Sequence, residues 1–426
     1  MLAISLLLVG LILLLLTGLP IFAGLSLFGG LLLLGEPGGL DIVSDIVFAK
    51  TGMYVLVAIP LFAYMAHVMI RGRIVDDLYS TAYTLTRHLP GGVGIATIIA
   101  CMIFSAISGS SVATALTIGA VAIPQMIRYG YDPKIAYGLV AAGGTLGILI
   151  PPSGPMILYG VATDTSISGL FMAGVLPGFL LAVIFCVYCM FRQRGAQREK
   201  RASTGEMLVA IRKSGWAITL PALVLGGMYA GVFTATEAAA AGALLALAIA
   251  ALVYRSFGLR DVWECAKDAA RTSAMLFMIL ASAAVFSYAL TKLMVPQQIV
   301  EMVTKMDMGA LGFIIAMMVM IFVLGMFLES IAIILITSPV IMPVMAHLGI
   351  DPIWYGVLLV INLEVAMITP PVGMNLFTIK AVTQSPMGPI IRGSLPFVVL
   401  MLLSLALVMA FPQLATMLPQ SMMNPT

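Results

Sequence analysis

Charged residues are so sparse along this chain that they punctuate it, and the intervals between them are apolar and of membrane length. Nothing is charged from Met1 to Gly35. An acidic loop, Glu36 to Lys50, is followed by an apolar run from Thr51 to Ile70 and by a mixed, amphipathic stretch holding Arg71, Arg73, Asp76, Asp77 and Arg87. Further apolar runs cover Gly169 to Phe191, Gly215 to Val232, Glu237 to Tyr254 and Thr272 to Leu293, and a last one closes the chain. An uninterrupted apolar run of about 20 residues predicts a transmembrane helix. The opening run, Leu2 to Leu34, has no basic start and is long for a cleaved leader, so it reads as one tilted membrane helix or two short ones.

Two intervals have the wrong length for a simple crossing. From His88 to Ile127 there are 40 residues without a formal charge, and from Met308 to Ala346 there are 39 with one, Glu329, near the middle. The centre of the first is small and polar, Ser105-Ala-Ile-Ser-Gly-Ser-Ser111. Both predict a helical hairpin that enters and leaves by one face. Two other apolar runs are broken inside, at Pro151-Pro152-Ser153-Gly154-Pro155 and at Thr369-Pro370-Pro371-Val372-Gly373. Each Pro removes a backbone donor and clashes with the preceding turn, and the residue before it avoids helical angles. With hairpins re-entering on their own side, the basic loops at 71–90, 128–134, 192–213, 255–271 and 380–392 share one face. Short basic loops stay in the cytoplasm; the acidic loop 36–50 and Asp164 fall outside.

The chain also repeats. Ser111 and Ser330 stand 219 positions apart, and the same shift lays Pro124 on Pro343, Gly130 on Gly349, Asp132-Pro133 on Asp351-Pro352, Pro151-Pro152 on Pro370-Pro371, and Leu176-Pro177 on Leu395-Pro396. An odd number of crossings separates the two Asp-Pro corners, so the copies are expected to be inverted. Inverted repeats with helices broken at matching points are the pattern of secondary transporters, and the breaks mark the binding site. Freed carbonyls around Gly147–Pro152 and Ala366–Pro371 cannot face lipid and must line a protein cavity. Such carbonyls with neighbouring hydroxyls suit a hard cation such as sodium.

Composition narrows the class further. Of 426 residues, 62% are apolar and 9% charged, against about 25% charged in a soluble domain. The chain is therefore read as an all-α polytopic membrane protein. The net charge of +3 rests in short loops and suggests no nucleic acid. Cys186 and Cys189 have CxxC spacing without a second pair, and the three histidines (His67, His88, His347) show no metal-ligand spacing. No Gly-x-Ser-Gly, Gly-x-Gly-Asp, His-Glu-x-x-His or phosphate-loop motif occurs, so the intramembrane-enzyme reading and direct ATP hydrolysis fall away. A channel is disfavoured by the duplicated hairpins. Glu329, at mid-membrane, is a functional candidate because an ionisable group there costs about 2.5–3.5 kcal/mol on insertion scales. Glu364 also lies within a span, and Glu237 stands at a helix start, where an acid suits the dipole. Gly227 and Gly231, four apart, are expected to let two helices approach closely.

Taken together, Ser105-Ala-Ile-Ser-Gly-Ser-Ser, Leu149-Ile-Pro-Pro-Ser, Ile368-Thr-Pro-Pro-Val-Gly, Gly231-Val-Phe-Thr-Ala-Thr-Glu-Ala and Phe327-Leu-Glu-Ser330 resemble the large membrane subunit of tripartite ATP-independent periplasmic transporters, the DctM-like family. The resemblance spans essentially the whole chain. Ala235 departs from it, standing where the family prefers Pro. It implies an elevator-type, sodium-driven importer of organic acids, C4-dicarboxylates or sialic acids with a lean toward sialic acid, in the bacterial inner membrane. It also implies two partners, a small four-helix membrane subunit and a periplasmic substrate-binding protein. Carried over by position, a first sodium site uses Ser108, Ser110, Gly147, Ile150 and Pro152, and a second uses Gly325, Ala366, Thr369 and Pro371. Substrate candidates between them are Ser111, Ser153, Glu329, Ser330 and Asn375. The implied division is 1–90 scaffold helices and arm, 91–192 the first half of a transport domain, 193–308 cytoplasmic loop, scaffold helices and arm, 309–412 the second half, and 413–426 a tail. The competing reading is a stand-alone proton- or sodium-coupled efflux carrier of organic anions with the same architecture.

Overall fold

The computed structural model describes residues 10, 14, 17–72, 74, 76–193, 200–255 and 257–423. Every regular element among them is helical. In chain order these are α1 (Ile21–Leu34), α2 (Val43–Thr51), α3 (Ala58–Arg71, entered through a tight turn at Tyr54–Val57), α4 (Asp76–Thr86), α5 (Gly92–Ser108), α6 (Ser111–Arg128), α7 (Pro133–Leu149), α8 (Gly154–Thr163) and α9 (Ile167–Arg192). Then come α10 (Thr204–Tyr229), α11 (Ala235–Ala248), α12 (Leu259–Lys292), α13 (Val295–Lys305), α14 (Ala310–Gly325), α15 (Ser330–Leu348), α16 (Pro352–Met367), α17 (Met374–Thr383), α18 (Met387–Ala410) and α19 (Gln413–Met423). Among the described residues nine helical segments are long and apolar enough to cross a membrane.

The hairpins are α5–α6 and α14–α15, and the broken helices are α7–α8 and α16–α17. The 219-residue shift carries α4 onto α13, α6 onto α15 and α7 onto α16 to within a residue. The repeat therefore includes the short helices α4 and α13, which precede each hairpin. Matching corners have matching causes. Asp132 and Asp351 each cap a helix that opens on Pro: Asp132 Oδ1 accepts from the Lys134 N–H at 2.9 Å, and Asp351 Oδ1 accepts from Ile353 at 2.7 Å. An N-cap acid followed by Pro at the first helical position needs no donor that Pro lacks.

Contacts between the copies show that they run in opposite directions. The start of α7 meets the end of α17: the Tyr137 hydroxyl and Ser385 Oγ are 2.9 Å apart. Its neighbour α18 packs on the same turn, with no room for a Cβ on Gly138 against the Gly393 carbonyl. The far end of α8 instead meets the start of α16, where the Tyr159 hydroxyl donates to the Pro352 carbonyl at 2.8 Å. The first copy thus begins where the second ends, and the converse.

Charge segregates to the two faces accordingly. On one face Arg71 pairs with Asp261 at 2.8 Å, Arg87 with Glu206 at 3.0 Å and Lys213 with Asp77 at 2.6 Å. These join the loops at 71–90, 200–213 and 255–261, and by the excess of basic residues that face is cytoplasmic. On the other, Lys50 approaches Asp164 at 3.8 Å. The basic loop's residues 194–199 lie outside the described residues.

Several expected boundaries shift. The helix expected from Gly215 begins at Thr204, where Ser203 and Glu206 form a capping box, and that expected from Thr272 begins at Leu259. Hydropathy marks where a helix enters the apolar layer, and both helices continue past it as charged, solvated turns. The run from Thr51 is interrupted at Gly52–Met53 before the next helix starts. Gly231 lies beyond the end of α10 at φ +70°, and a Cβ on Gly227 would meet the Phe233 ring. The two glycines therefore fold a turn and do not form a helix-packing stripe. In the opening run only Gly10, Leu14 and the residues from Thr17 are described; Thr17–Pro20 are not helical, and α1 starts after Pro20.

Candidate functional site

Hairpin one turns on Gly109, whose φ of +58° is open to glycine at little cost. Ser110 follows in extended conformation and caps α6, its Oγ accepting from the Ala113 N–H at 3.3 Å. Thr114, one turn into α6, gathers the tip: its hydroxyl donates to the Ser110 carbonyl at 2.8 Å and lies 3.0 Å from Ser108 Oγ. The first break sits directly against this tip. Past Leu149 the chain is extended at Ile150 and runs through a cis Pro151–Pro152 bond to Ser153, the cap of α8. Ser153 Oγ donates to the Ile148 carbonyl at 2.5 Å and accepts from the Met156 N–H at 3.3 Å, stitching the two half-helices together. A Cβ on Gly147 would lie 2.6 Å from the Ser110 carbonyl oxygen, and one on Gly109 2.5 Å from that of Pro152. Glycine at both positions lets the two backbones touch.

The second copy repeats the plan with different chemistry. Hairpin two turns at Met326–Glu329, and Glu329 takes the N-cap position of α15 without a side-chain hydrogen bond to its first turn, its carboxylate lying near the N–H groups of Ile331 and Ala332. The break binds the hairpin through the Val372 N–H, which donates to the Met326 carbonyl at 3.2 Å. A Cβ on Gly325 would lie 2.6 Å from the Ala366 methyl. The Thr369 hydroxyl donates to the Val365 carbonyl at 2.6 Å, and Ser330 Oγ lies 3.5 Å from the Met367 sulfur. At the site, too, a side chain crosses between the copies. Asn375, at the start of α17, donates both amide hydrogens to hairpin one and its broken helix: to Ser111 Oγ at 2.8 Å and to the Ala141 carbonyl at 2.9 Å.

Both tips, the first break and the two helix ends that flank the second break, Met367 and Met374, border one cavity of about 240 Å³. Its polar wall includes Ser108, Ser110, Ser111, Glu329 and Ser330; the opposing wall is apolar apart from Thr272, with Ile59 and Phe62 from α3 and Met275 from α12. Of the expected substrate residues, Ser111, Glu329 and Ser330 reach this cavity, whereas Ser153 and Asn375 are wholly buried and bonded within the framework. Of the first expected cation set, Ser108, Ser110 and Pro152 line the cavity, with Gly147 and Ile150 packed beneath. In the second set Gly325 and Ala366 are pressed together, and Thr369 and Pro371 follow on the break. In the first set the Ser108 and Ser110 hydroxyls share the cavity wall with Pro152, whose carbonyl oxygen lies against Gly109. The second offers one hydroxyl, Thr369, beside its break carbonyls.

Thr114 and Thr272 were not singled out in the sequence. Thr114 carries a legible signal, a hydroxyl four residues after the capping Ser110, while Thr272 comes to the cavity only through the packing of α12. Glu364 is fully enclosed, and neither of its oxygens has a hydrogen-bond partner. Glu237 closes a capping box with Thr234, accepting from its backbone N–H at 2.9 Å, and is structural.

Comparison with known proteins agrees with this architecture. The model of the family described as "Tripartite ATP-independent periplasmic transporter, DctM component" matches residues 8–414. The chain is 39% identical over 389 residues to the C4-dicarboxylate TRAP transporter large permease protein DctM of Pseudomonas aeruginosa, covering 91% of each chain. It is 32% identical over 410 residues to the sialic acid TRAP transporter large permease protein SiaM of Vibrio cholerae, covering 96% of each. Its fold is similar to the crystal structure of the Alcanivorax borkumensis YdaH transporter, with a TM-score of 0.66, 14% identity and 88% coverage of both chains. A duplicated, inverted helical framework meeting at one central cavity, together with a family match along nearly its whole length, shows that this chain belongs to the DctM family of TRAP transporter large permeases, multi-pass transport proteins of the bacterial inner membrane and not enzymes.

Proposed function

We propose that the chain imports a small organic acid in symport with sodium, by sliding the two hairpins and two broken helices as one body against the remaining helices. The moving body is 91–192 with 309–412; the regions 1–90 and 193–308 supply scaffold and arms, and 413–426 follow as a tail. The observation that carries this reading is the shared cavity, where both tips meet the first break and the helix ends flanking the second. Separating them inside the membrane would strip the Asn375 and Val372 hydrogen bonds, and each unsatisfied polar group in hydrocarbon costs several kcal/mol. Sliding the assembly whole exchanges mainly apolar contacts.

Sodium would be held by Ser108, Ser110, Gly147, Ile150 and Pro152, and by Gly325, Ala366, Thr369 and Pro371. When bound it supplies positive charge at the tips. The two hairpin N-termini are unequal seats for an anion. α15 already faces its own Glu329 carboxylate, whereas α6 is capped by the neutral Ser110. The first-turn N–H groups of α6, beside Ser111, are therefore the better seat for a substrate carboxylate. At about 240 Å³ the cavity is small against the roughly 300–1,000 Å³ of typical ligand pockets, which favours a compact C4-dicarboxylate over sialic acid. Family membership supports two partners, a small membrane subunit and a periplasmic substrate-binding protein that delivers the acid.

The test is uptake into proteoliposomes with a panel of labelled acids, with and without both partners. The reading expects electrogenic uptake that requires an inward sodium gradient and all three proteins. Equal uptake driven by a proton gradient in sodium-free buffer, or by this chain alone, overturns it.

A further inference from the structure

A second cavity, of about 200 Å³, opens on the face opposite the basic loops. One wall comes from α2 and α12, with Ile46, Ala283 and Ala284; the other comes from α8 and α15, with Ala162, Leu335 and Pro339. Along α12 it runs from Tyr288 at the rim down to Leu280, eight residues or about 12 Å of helix. Below the rim the lining is apolar except for Ser287.

The rim has a different chemistry. Lys50 lines the mouth, and Lys292 lies over the Tyr288 ring at 5.6 Å from its centroid. A Tyr with flanking Lys is what marks headgroup level in a membrane protein. Lys50 is only loosely engaged, 3.8 Å from an Asp164 side chain that is 76% exposed, and such exposed pairs hold weakly. A slot with an apolar floor, one cation at its mouth and a second over its rim tyrosine is complementary to one molecule of the bilayer.

We infer that this slot is a phospholipid site of the outer leaflet, taking one acyl chain between α12 and α15 and the anionic headgroup phosphate at Lys50 and Lys292. The anion sets the preference: phosphatidylglycerol binds in favour of zwitterionic phosphatidylcholine. Because its walls belong to different sides of the proposed sliding interface, the chain fills space that direct helix packing leaves open there.

The probe is phosphatidylglycerol carrying a photoactivatable group on one acyl chain, added to the purified full-length protein in phosphatidylcholine vesicles, with labelled peptides identified by mass spectrometry. The expected result is labelling concentrated at 280–288 and 335–339, above that at lipid-facing Phe179 and Val399, which are 57% and 65% exposed. The same probe on phosphatidylcholine should label these segments less. Lys50→Gln and Lys292→Gln should each reduce the phosphatidylglycerol labelling about fivefold, as expected for one cation near an anionic headgroup. Uniform labelling of all lipid-facing segments, equal labelling by both lipids, or labelling unchanged in both variants overturns the site. Protection of the slot by the small membrane subunit, with no lipid label, replaces lipid with protein as its occupant and equally overturns it. None of these readouts depends on transport, so the site can fail without the sliding body failing.

Discussion

At the scale of single residues, side chains at the site divide into those that face the cavity and those that hold the framework. Asn375 belongs to the second kind. Replacing it by Ala should lower stability by about 1–3 kcal/mol, the cost of stranding buried hydrogen-bond partners, as read by thermal denaturation of the purified protein. A variant as stable as the parent would show that the link between the copies is dispensable. Ser108 belongs to the first kind. Ser108→Ala should raise the sodium concentration for half-maximal uptake roughly tenfold, since a contact to a charged group contributes about 1.5 kcal/mol, with the rate at saturating sodium little changed. An unaltered sodium dependence would remove Ser108 from the ligand set. Ser108, Ser110 and Glu329 were legible in the sequence because polar groups in long uncharged runs have few bland explanations. The role of Asn375 was not, because its partners, Ser111 and Ala141, lie more than 230 positions away. Nothing local distinguishes an amide that links two halves from one that faces a substrate.

Among the elements, the breaks were the most legible feature, because proline constrains the backbone whatever surrounds it. The hairpins followed from run length, and their tips from small and polar residues. Helix starts at Thr204 and Leu259 were missed because hydropathy reports the membrane and not the helix. An arm was expected in each half, but the bounds of α4 and α13 were not legible, because no Pro or Gly shared between the copies marks them. The interlocked tip and break give a sharp contrast between two glycines. Gly109→Ala puts a Cβ at positive φ and 2.5 Å from the Pro152 carbonyl oxygen, so it should part tip from break and abolish sodium-dependent uptake while lowering the melting temperature. Gly154→Ala meets nothing within 4 Å at an ordinary φ, so its stability should stay within about 0.5 kcal/mol of the parent. Equal effects of the two changes would mean that the contact does not hold the tip. In the static helices, Thr234→Ala removes half of a capping box and should cost about 1 kcal/mol, visible in denaturation with the sodium dependence untouched.

For the whole molecule, inversion follows from charge and parity in the sequence and from contacts in the structure, where the start of α7 meets the end of α17 and the end of α8 meets the start of α16. Such symmetry gives two nearly equivalent arrangements of the same parts, one open to each side, which is what alternating access requires. Movement of the core as one body is the central claim, and cross-linking tests it most directly. In a background with Cys101, Cys186, Cys189 and Cys265 replaced, Met374→Cys provides a cavity reporter for a membrane-impermeant thiol reagent. One flexible linker joins the hairpins through Val112→Cys and Ile331→Cys; another joins hairpin one to α12 through Val112→Cys and Met275→Cys. All four positions line the cavity. A sliding body predicts that the first linker leaves the reporter reachable from each side of the membrane in turn, while the second confines it to one side. The reverse, arrest by the hairpin-to-hairpin linker and free alternation with the hairpin-to-α12 linker, would contradict the account and put a local gate in its place.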